Sequence, residues 1–578
     1  MQKKNLLGMD WDIQSEGFSC ELEEIQAGGI ALAKAVLSSG TPAVPHRITL
    51  SFHIPSLDIF SIWSPLSGME RMLKPNWLPA RSSSRIAAGA PVLSLISKAG
   101  QNRLTVALSD AATATEISAG VSEETAEFQI NVTLFTELTH AIDRYEVFIR
   151  LDTRDVGYGD ALSGVEAWWE EFYPPCSVPE NAREPLFSSW YNFHQELSAD
   201  ELVRQCSLAA ELGMKTLIID DGWQTEDNSR GYAYCGDWKL AVSKIPDMAR
   251  LSSEIHRLGM KIMIWYSVPF VGIHSANFPR FAGKYLNNPQ ETGYGILDPR
   301  FAECRKFLAD TYAGAVEAWD LDGLKLDFID SFELSGFASD KYEDMDCISL
   351  EEGISRLLHE LGQVLKSRKP DFLIEFRQRY IGPVVRQLGN MLRVNDCPNC
   401  SLSNRLGGID LRLLSGKTAV HSDMVMWHTG DTAASAAHQL IASLYSVPQI
   451  SMMLDRLPPE HKKMLAFYLR FWRENREVLL DGYLTARNPE AGYSLVRADL
   501  GDLAVITAFS RCDVALGCAR TGAVVNGTDE DYLYIDAPHN FRYQVYTCTG
   551  EAAEAGEKAA GVSRLAIPKS GVLSFTRL

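Results

Sequence analysis

The sequence predicts an α/β protein with a central (β/α)8 barrel, a β-sandwich before it and a smaller β-sandwich after it. Three observations carry that reading. Short apolar strands alternate with amphipathic helices through the middle of the chain. The tetrapeptide Leu212-Gly-Met-Lys215 recurs as Leu258-Gly-Met-Lys261, each time between a helix and a strand. The flanking regions show short strand-like runs separated by turn residues. The 578 residues leave room for several domains, and the expected bounds are 1–172, 180–478 and 481–578.

In the first region, Arg47–His53, Arg103–Leu108, Glu127–Leu134 and Tyr145–Leu151 read as strands, and helical periodicity is absent to about residue 165. The Pro-rich run 173–179 suits a domain boundary. A capping box, Ser198-Ala-Asp-Glu201, opens a helix with Leu202, Val203, Cys206, Ala209 and Leu212 on one stripe. Gly213 ends it, and Lys215–Asp220 is the strand that follows. The next unit repeats the pattern with Met248, Leu251, Ile255 and Leu258, then Gly259, then the strand Lys261–Trp265. Gly323–Phe328, Phe372–Phe376, Met391–Val394, Val420–Met426 and Val447–Met453 continue the series. An early strand at Leu186–Trp190 completes eight. A doubly wound sheet is the lesser reading, because no GxGxxG follows a strand. Beyond Asp481, Tyr493–Arg497, Leu503–Thr507, Arg542–Tyr546 and Val572–Phe575 are again strand-like.

Composition bounds the function. Apolar residues are 46% and charged residues 22%, the mix of ordinary globular proteins. The net charge is −19 with no basic cluster, so nucleic acid and anionic membrane are poor partners. No run is long enough to span a bilayer and the first residues do not form a signal peptide. Eleven cysteines, an odd number, fit a reduced, cytoplasmic protein. Cys397 and Cys400 form a CxxC without a second half at zinc-ribbon spacing, so the pair is read as structural rather than as a metal site.

Catalytic groups of such barrels stand at the C-terminal ends of the strands. Strand two ends in Asp220 and Asp221, strand four in Lys325-Leu-Asp327, strand five in Glu375-Phe-Arg377 and strand six in Arg393-Val-Asn-Asp396. Acidic groups recurring there are poorly explained by packing, because an unpaired carboxylate costs stability. Lys325 and Asp327 share one side of their strand, so the ammonium is expected to keep Asp327 ionised, as a nucleophile requires. Asp396 is then the second carboxyl, in the loop just past its strand. A nucleophilic and a protonated carboxyl about 5–5.5 Å apart are the equipment of a retaining glycosidase. Asp220 and Asp221 are suited to accept from neighbouring sugar hydroxyls. Trp63, Tyr191, Trp223, Trp238 and Trp265 offer flat faces for a sugar ring, although core packing explains each of them about as well.

Trp190-Tyr-Asn-Phe193, Ile219-Asp-Asp-Gly-Trp-Gln224, Lys325-Leu-Asp-Phe328 and the Arg393…Asp396 strand end resemble the family-36 glycoside hydrolases, chiefly α-galactosidases. The resemblance covers essentially the whole chain. It implies that Asp327 is the nucleophile and Asp396 the acid/base of a double displacement with retention. It implies that Asp220 and Asp221 read O4 and O6 of galactose, that Lys325 donates to a sugar hydroxyl, and that Tyr191 and Trp63 lie near the non-reducing sugar. No metal or organic cofactor is implied, and the partner is a small carbohydrate. A homo-oligomer is compatible with it, since relatives often complete the site from a neighbour.

The strand-five end departs from the relatives. Arg377 and Arg379 either pair with Glu375 as structure or reshape the sugar pocket, for an acidic or 2-substituted sugar. Arg393 stands three residues before Asp396, and Asn395-Asp-Cys-Pro-Asn-Cys400 is also unlike the relatives. Asp423 and His428 read as satisfied structural polar groups, with a supporting role at the site as the alternative. The leading expectation is an exo-acting α-galactosidase on small soluble galactosides. The alternatives are a related α-glycosidase for α-N-acetylgalactosaminides or acidic sugars, an α-galactosyl transferase, and a non-catalytic sugar-binding barrel.

Overall fold

The structure, a computed structural model, describes residues 2–26, 28–339 and 342–578. The N-terminal region packs two antiparallel six-stranded sheets face to face. Glu127–Leu134 shows why these residues form a sandwich. Its side chains alternate between half-buried and buried along the whole strand. Phe128, Ile130, Val132 and Leu134 therefore enter a core shared with Trp11, Phe52, Leu93, Val106 and Ile149.

One element departs from the strand-only reading of this region, the helix α1 (Tyr158–Glu170). It buries Tyr158, Ala161, Leu162, Val165 and Trp169, a regular helical stripe, and the Trp169 indole donates to the Leu108 carbonyl at 2.7 Å. Gly159 and Gly164 weaken its intrinsic propensity, and packing against the sandwich overrides that weakness.

The middle of the chain closes into a parallel barrel of eight strands in sequence order. They are β1 (Leu186–Ser188), β2 (Thr216–Ile219), β3 (Lys261–Ser267), β4 (Gly323–Asp327), β5 (Leu373–Arg377), β6 (Met391–Arg393), β7 (Ala419–Val425) and β8 (Val447–Ile450). The outer helices are α2 (Ala199–Glu211), α3 (Met248–Arg257), α4 (Ala302–Trp319), α5 (Leu350–Arg368), α6 (Ser401–Arg412), α7 (Ala433–Ala442) and α8 (Pro459–Glu474). The repeat is broken between β5 and β6, which a short turn of 3-10 helix, Val385–Gln387, joins instead of an α-helix. Ser198 does precede α2, but its hydroxyl makes no cap bond. Arg204 draws Glu201 outward into an ion pair at 2.6 Å, so the reciprocal capping box does not form.

The barrel interior is layered. Leu186, Ile218, Met263, Leu373, Met391 and Ala419 fill one level with apolar side chains. Toward the C-terminal strand ends the buried groups become polar, among them Lys325, Glu375, Arg393 and Gln449. The strand register sets Lys325 beside Glu375 and Arg377 beside Arg393. The C-terminal region adds a seven-stranded and a three-stranded sheet, and the Tyr445 hydroxyl of the barrel bonds to the Val496 carbonyl there at 2.8 Å.

All three regions meet at Asp410 on α6. Arg71 pairs with it at 2.6 Å, the Trp63 indole donates to it at 2.9 Å, and the Tyr493 hydroxyl donates to it as well. Trp63 is fully buried. It therefore knits the regions together and presents no face to a sugar, contrary to the expectation from sequence. Replacing Asp410 with Ala leaves the Arg71 guanidinium buried and unpaired, which costs about 3–5 kcal/mol. A clear fall in the apparent Tm of Asp410→Ala is the expected result, and an unchanged Tm contradicts the role.

Candidate active site

Asp327 ends β4 and is buried at the mouth. Its Oδ1 accepts from the Arg377 Nε at 2.6 Å, the Tyr380 hydroxyl at 2.8 Å and the Phe328 backbone N–H at 2.8 Å. Its Oδ2 accepts from the Trp265 indole at 3.0 Å. Phe328 adopts φ +65°, a left-handed conformation costly for a bulky residue, and this turn carries its N–H back onto the carboxylate. Burial opposes ionisation of Asp327, but Arg377 and Lys325, with the Trp265 and Tyr380 hydrogen bonds, outweigh it and hold the carboxyl well below the usual carboxylate range.

The nearest cation differs from the expected one. The Lys325 ammonium is committed to Asp220 at 2.5 Å and acts on Asp327 from further away. Arg377 supplies the direct contact, with its guanidinium over the rings of Phe328 at 5.1 Å and Tyr380 at 5.4 Å. Arg377 does not pair with Glu375. That carboxyl stays inside the barrel, accepting from the Gln449 amide at 2.5 Å and lying 3.5 Å from Arg393. Arg379 is exposed, and its carbonyl accepts from the Gly89 N–H at 2.7 Å, where the N-terminal region touches the mouth.

Arg393 is the second node. Fully buried on β6, it pairs with Asp423 at 2.6 Å and with Asp396 at 2.8 Å. Asp423 also accepts from the Tyr191 hydroxyl at 2.9 Å and the Cys397 backbone N–H at 2.6 Å, so its polar partners are satisfied and lie next to Asp396. Asp396 is half-exposed. Its burial favours the neutral form, yet Arg393 and then Lys325 keep it below its ordinary value. Asp396 is thus held toward its ionised state by Arg393, three residues before it.

Asp220 and Asp221 follow β2 side by side. Asp221 accepts from the Gln195 amide at 2.7 Å and the Gln224 amide at 2.6 Å, and burial pushes its carboxyl up to about 6. Gly222 follows at φ +114°, and a Cβ there would meet the Gln195 Cα at 2.5 Å, so only glycine fits the turn that presents the pair. The structure thus connects Asp220, Lys325, Asp327, Trp265 and Arg377 in one network and Tyr191, Arg393, Asp396 and Asp423 in another.

Trp223 does not join them as a sugar-binding face. It is fully buried, donates to the Trp265 carbonyl at 2.8 Å and stacks on Trp238 at 6.0 Å, so it supports Trp265 from behind. The half-buried Tyr232, stacked on Trp265 at 6.4 Å and 5.0 Å from Phe328, is the better-placed aromatic. Sequence reasoning misses Tyr232, Gln195 and Tyr380, because all three lie in loops where no strand-end pattern marks them. Among the described residues, no cluster of His, Cys, Asp and Glu is arranged to hold a metal ion, and no helix is long and apolar enough to cross a membrane.

These features define a class first: a closed (β/α)8 barrel flanked by β-domains, with paired carboxylates and cations at its mouth. Comparison with known proteins narrows it. Residues 170–288 match the Melibiase family model. The α-galactosidase AgaA of Geobacillus stearothermophilus is 22% identical over 183 residues, 29% of this chain and 25% of that one. The bifunctional α-galactosidase/sucrose kinase AgaSK of Mediterraneibacter gnavus is 33% identical over 87 residues, 14% of this chain and 9% of that one. The matched segments thus span a quarter or less of those relatives. Among solved structures, the galactosidase domain of AgaSK superposes with a TM-score of 0.68 at 14% identity, over 97% of this chain and 80% of that one. AgaA, in a crystal structure with raffinose, gives 0.65 at 15% identity, over 99% and 82%. The chain therefore has the fold of the family-36 α-galactosidases over nearly its whole length and is similar to melibiases in sequence across the first part of its barrel.

The Arg377 contact makes a signed prediction. A carboxyl held below its unfolded value contributes stability above that value and loses it as pH falls toward the folded one. Arg377→Met should destabilise the chain by about 3–5 kcal/mol at pH 7. The gap from wild type should narrow by about 1 kcal/mol at pH 3, where the unfolded carboxyl of ~3.9 is already protonated. Urea unfolding at the two pH values checks it, and a gap that stays constant contradicts the assignment.

Proposed function

We propose that this chain is a retaining exo-α-glycosidase that releases terminal α-linked galactose from small oligosaccharides. The observation that carries this reading is Asp327, an ionised carboxylate gripped by four donors at the end of β4, with a second, half-exposed carboxyl, Asp396, past the end of β6. The likeness to α-galactosidases, one of them bound to raffinose, supports the choice of sugar.

In this reading Asp396 delivers a proton to the glycosidic oxygen while Asp327 attacks the anomeric carbon and forms a glycosyl ester. Water, deprotonated by Asp396, then opens the ester and yields the α-anomer. Asp220, Asp221, Lys325 and Tyr191 face the sugar hydroxyls, and Trp265 fixes the attacking carboxylate. An acidic sugar is the weaker alternative. Arg377 already serves Asp327 at 2.6 Å, and lies 3.7 Å from Asp330. A cytoplasmic setting is supported by the free state of all eleven cysteines. A homo-oligomer is supported by the exposed apolar Met72, Trp77 and Leu78.

The Arg393 contact gives the acid step a specific weakness. A 4-nitrophenolate leaves without help, whereas a sugar leaving group needs the proton. Asp396→Ala should therefore lower kcat/KM on raffinose far more than on 4-nitrophenyl α-galactoside, and equal losses would contradict its role as the acid.

The primary test is a panel of 4-nitrophenyl α-glycosides: galactoside, N-acetylgalactosaminide, glucoside and galacturonide. Galactoside turnover is expected, with Asp327→Ala slower by several orders of magnitude. Azide should partly rescue that variant as the inverted glycosyl azide. Azide on Asp396→Ala should give the retained azide, from the covalent intermediate; an inverted azide from Asp396→Ala and a retained one from Asp327→Ala would reverse the two roles.

A further inference from the structure

Asp396 is followed at once by Cys397-Pro398-Asn399-Cys400, a pair of thiols that the glycosidase reading leaves unused. The Cys400 N–H donates to the Cys397 carbonyl at 3.0 Å, and Asn399 takes φ +58°. Pro in the second position and a left-handed Asn in the third are the marks of a type II turn. Such a turn brings its first and fourth Cα atoms within about 7 Å, and a disulfide needs about 4.4–6.8 Å.

The two thiols are unlike. Cys400 is exposed and occupies the position before α6, its thiol donating to the Ser403 hydroxyl at 3.1 Å. Cys397 is half-buried and packs against the apolar cluster of Ile381, Val394, Leu411 and Val420. Its backbone N–H is tied to Asp423, the carboxylate that shares Arg393 with Asp396. A chain of three contacts, Cys397 to Asp423, Asp423 to Arg393 and Arg393 to Asp396, therefore links this turn to Asp396.

We propose that Cys397 and Cys400 form a reversible thiol–disulfide site that reacts with low-molecular-weight disulfides and disturbs the Asp396 loop when oxidised. The exposed Cys400 thiolate, its proton lost to solvent, attacks one sulfur of the small disulfide and expels the first thiolate. The Cys397 thiol then gives its proton to solvent base. Its thiolate attacks the Cys400 sulfur of the mixed disulfide and expels the second thiolate. Two protein thiols are oxidised and one small disulfide is reduced to two thiols. Forming the bridge draws the Cys397 sulfur out of its apolar pocket and strains the N–H bond to Asp423. Only the kinetic consequence rests on the glycosidase reading.

The test equilibrates the full chain with glutathione buffers from reduced to oxidised, alkylates free thiols and weighs the peptide that carries both cysteines. Deuterium exchange of the Cys397 amide is followed in the same samples, and kcat is read on whichever nitrophenyl glycoside is turned over. In oxidised buffer both cysteines should lose alkylation together and the peptide should be lighter by two hydrogens. The amide should exchange about tenfold faster, and kcat should fall roughly 10- to 100-fold, the scale of an ångström-sized misplacement. Dithiothreitol should reverse all of these, and Cys400→Ser should keep the reduced-state rate and lose every response. Continued alkylation of both thiols in oxidised glutathione overturns the proposal. So does a disulfide that alters neither exchange nor kcat. A chain inactive on every glycoside still reports thiols and exchange, so failure of the glycosidase reading is seen separately.

Discussion

Removing a carboxylate from water costs several kcal/mol unless a cation or several donors replace the lost hydration. That constraint governs the barrel mouth. Asp327 and Arg377, Asp220 and Lys325, and Asp423 and Arg393 are buried pairs set into the C-terminal end of one small barrel. Each cation meets its carboxylate across neighbouring or nearby strands, so the pairing fixes side-chain direction as well as charge. Because removal of one member strands the other, these groups behave as a unit.

The apolar structure around them supplies the rigidity. The aliphatic layer of Leu186, Ile218, Met263, Leu373, Met391 and Ala419 closes the barrel below the charges. Trp223 backs Trp265, which in turn holds Asp327. The N-terminal region braces the mouth from outside, with Arg85 donating to the Asp330 carbonyl at 2.6 Å and Gly89 to the Arg379 carbonyl. Sandwich and barrel therefore share the work of positioning, and Asp410 shows the same economy where all three regions meet. The result is a nucleophile candidate that is strongly held but also strongly stabilised as an anion, and an acid candidate whose proton is disfavoured by Arg393.

The barrel strands are legible in sequence because each is a short apolar run between recognisable helices or turns, as with Gly213 before β2 and Gly259 before β3. The acidic strand ends are legible for the same reason, since Asp220, Asp221 and Asp327 interrupt apolar runs. Partner choice is not legible. Lys325 is two residues from Asp327 yet pairs with Asp220, because it meets β2 across the barrel interior. Arg377 is two residues from Glu375 yet meets Asp327, because the β4–β5 register that sets Lys325 beside Glu375 carries Arg377 alongside Asp327. Aromatic identity alone also says little about exposure: Trp63 and Trp223 are core residues, while Tyr232, in a loop without pattern, lines the site. The helix α1 escapes notice because its glycines dilute a stripe that only tertiary packing reveals.

The central claim is that Asp327, held ionised by Arg377, forms a covalent bond to the sugar. Incubation with an activated 2-deoxy-2-fluoro α-galactoside, followed by proteolysis and mass spectrometry, tests it most directly, because the fluorine slows breakdown of the ester. The account predicts a single fluorogalactosyl label on the peptide carrying Asp327. A label on Asp396 would contradict it, as would turnover of the ordinary galactoside with no ester trapped at any carboxyl.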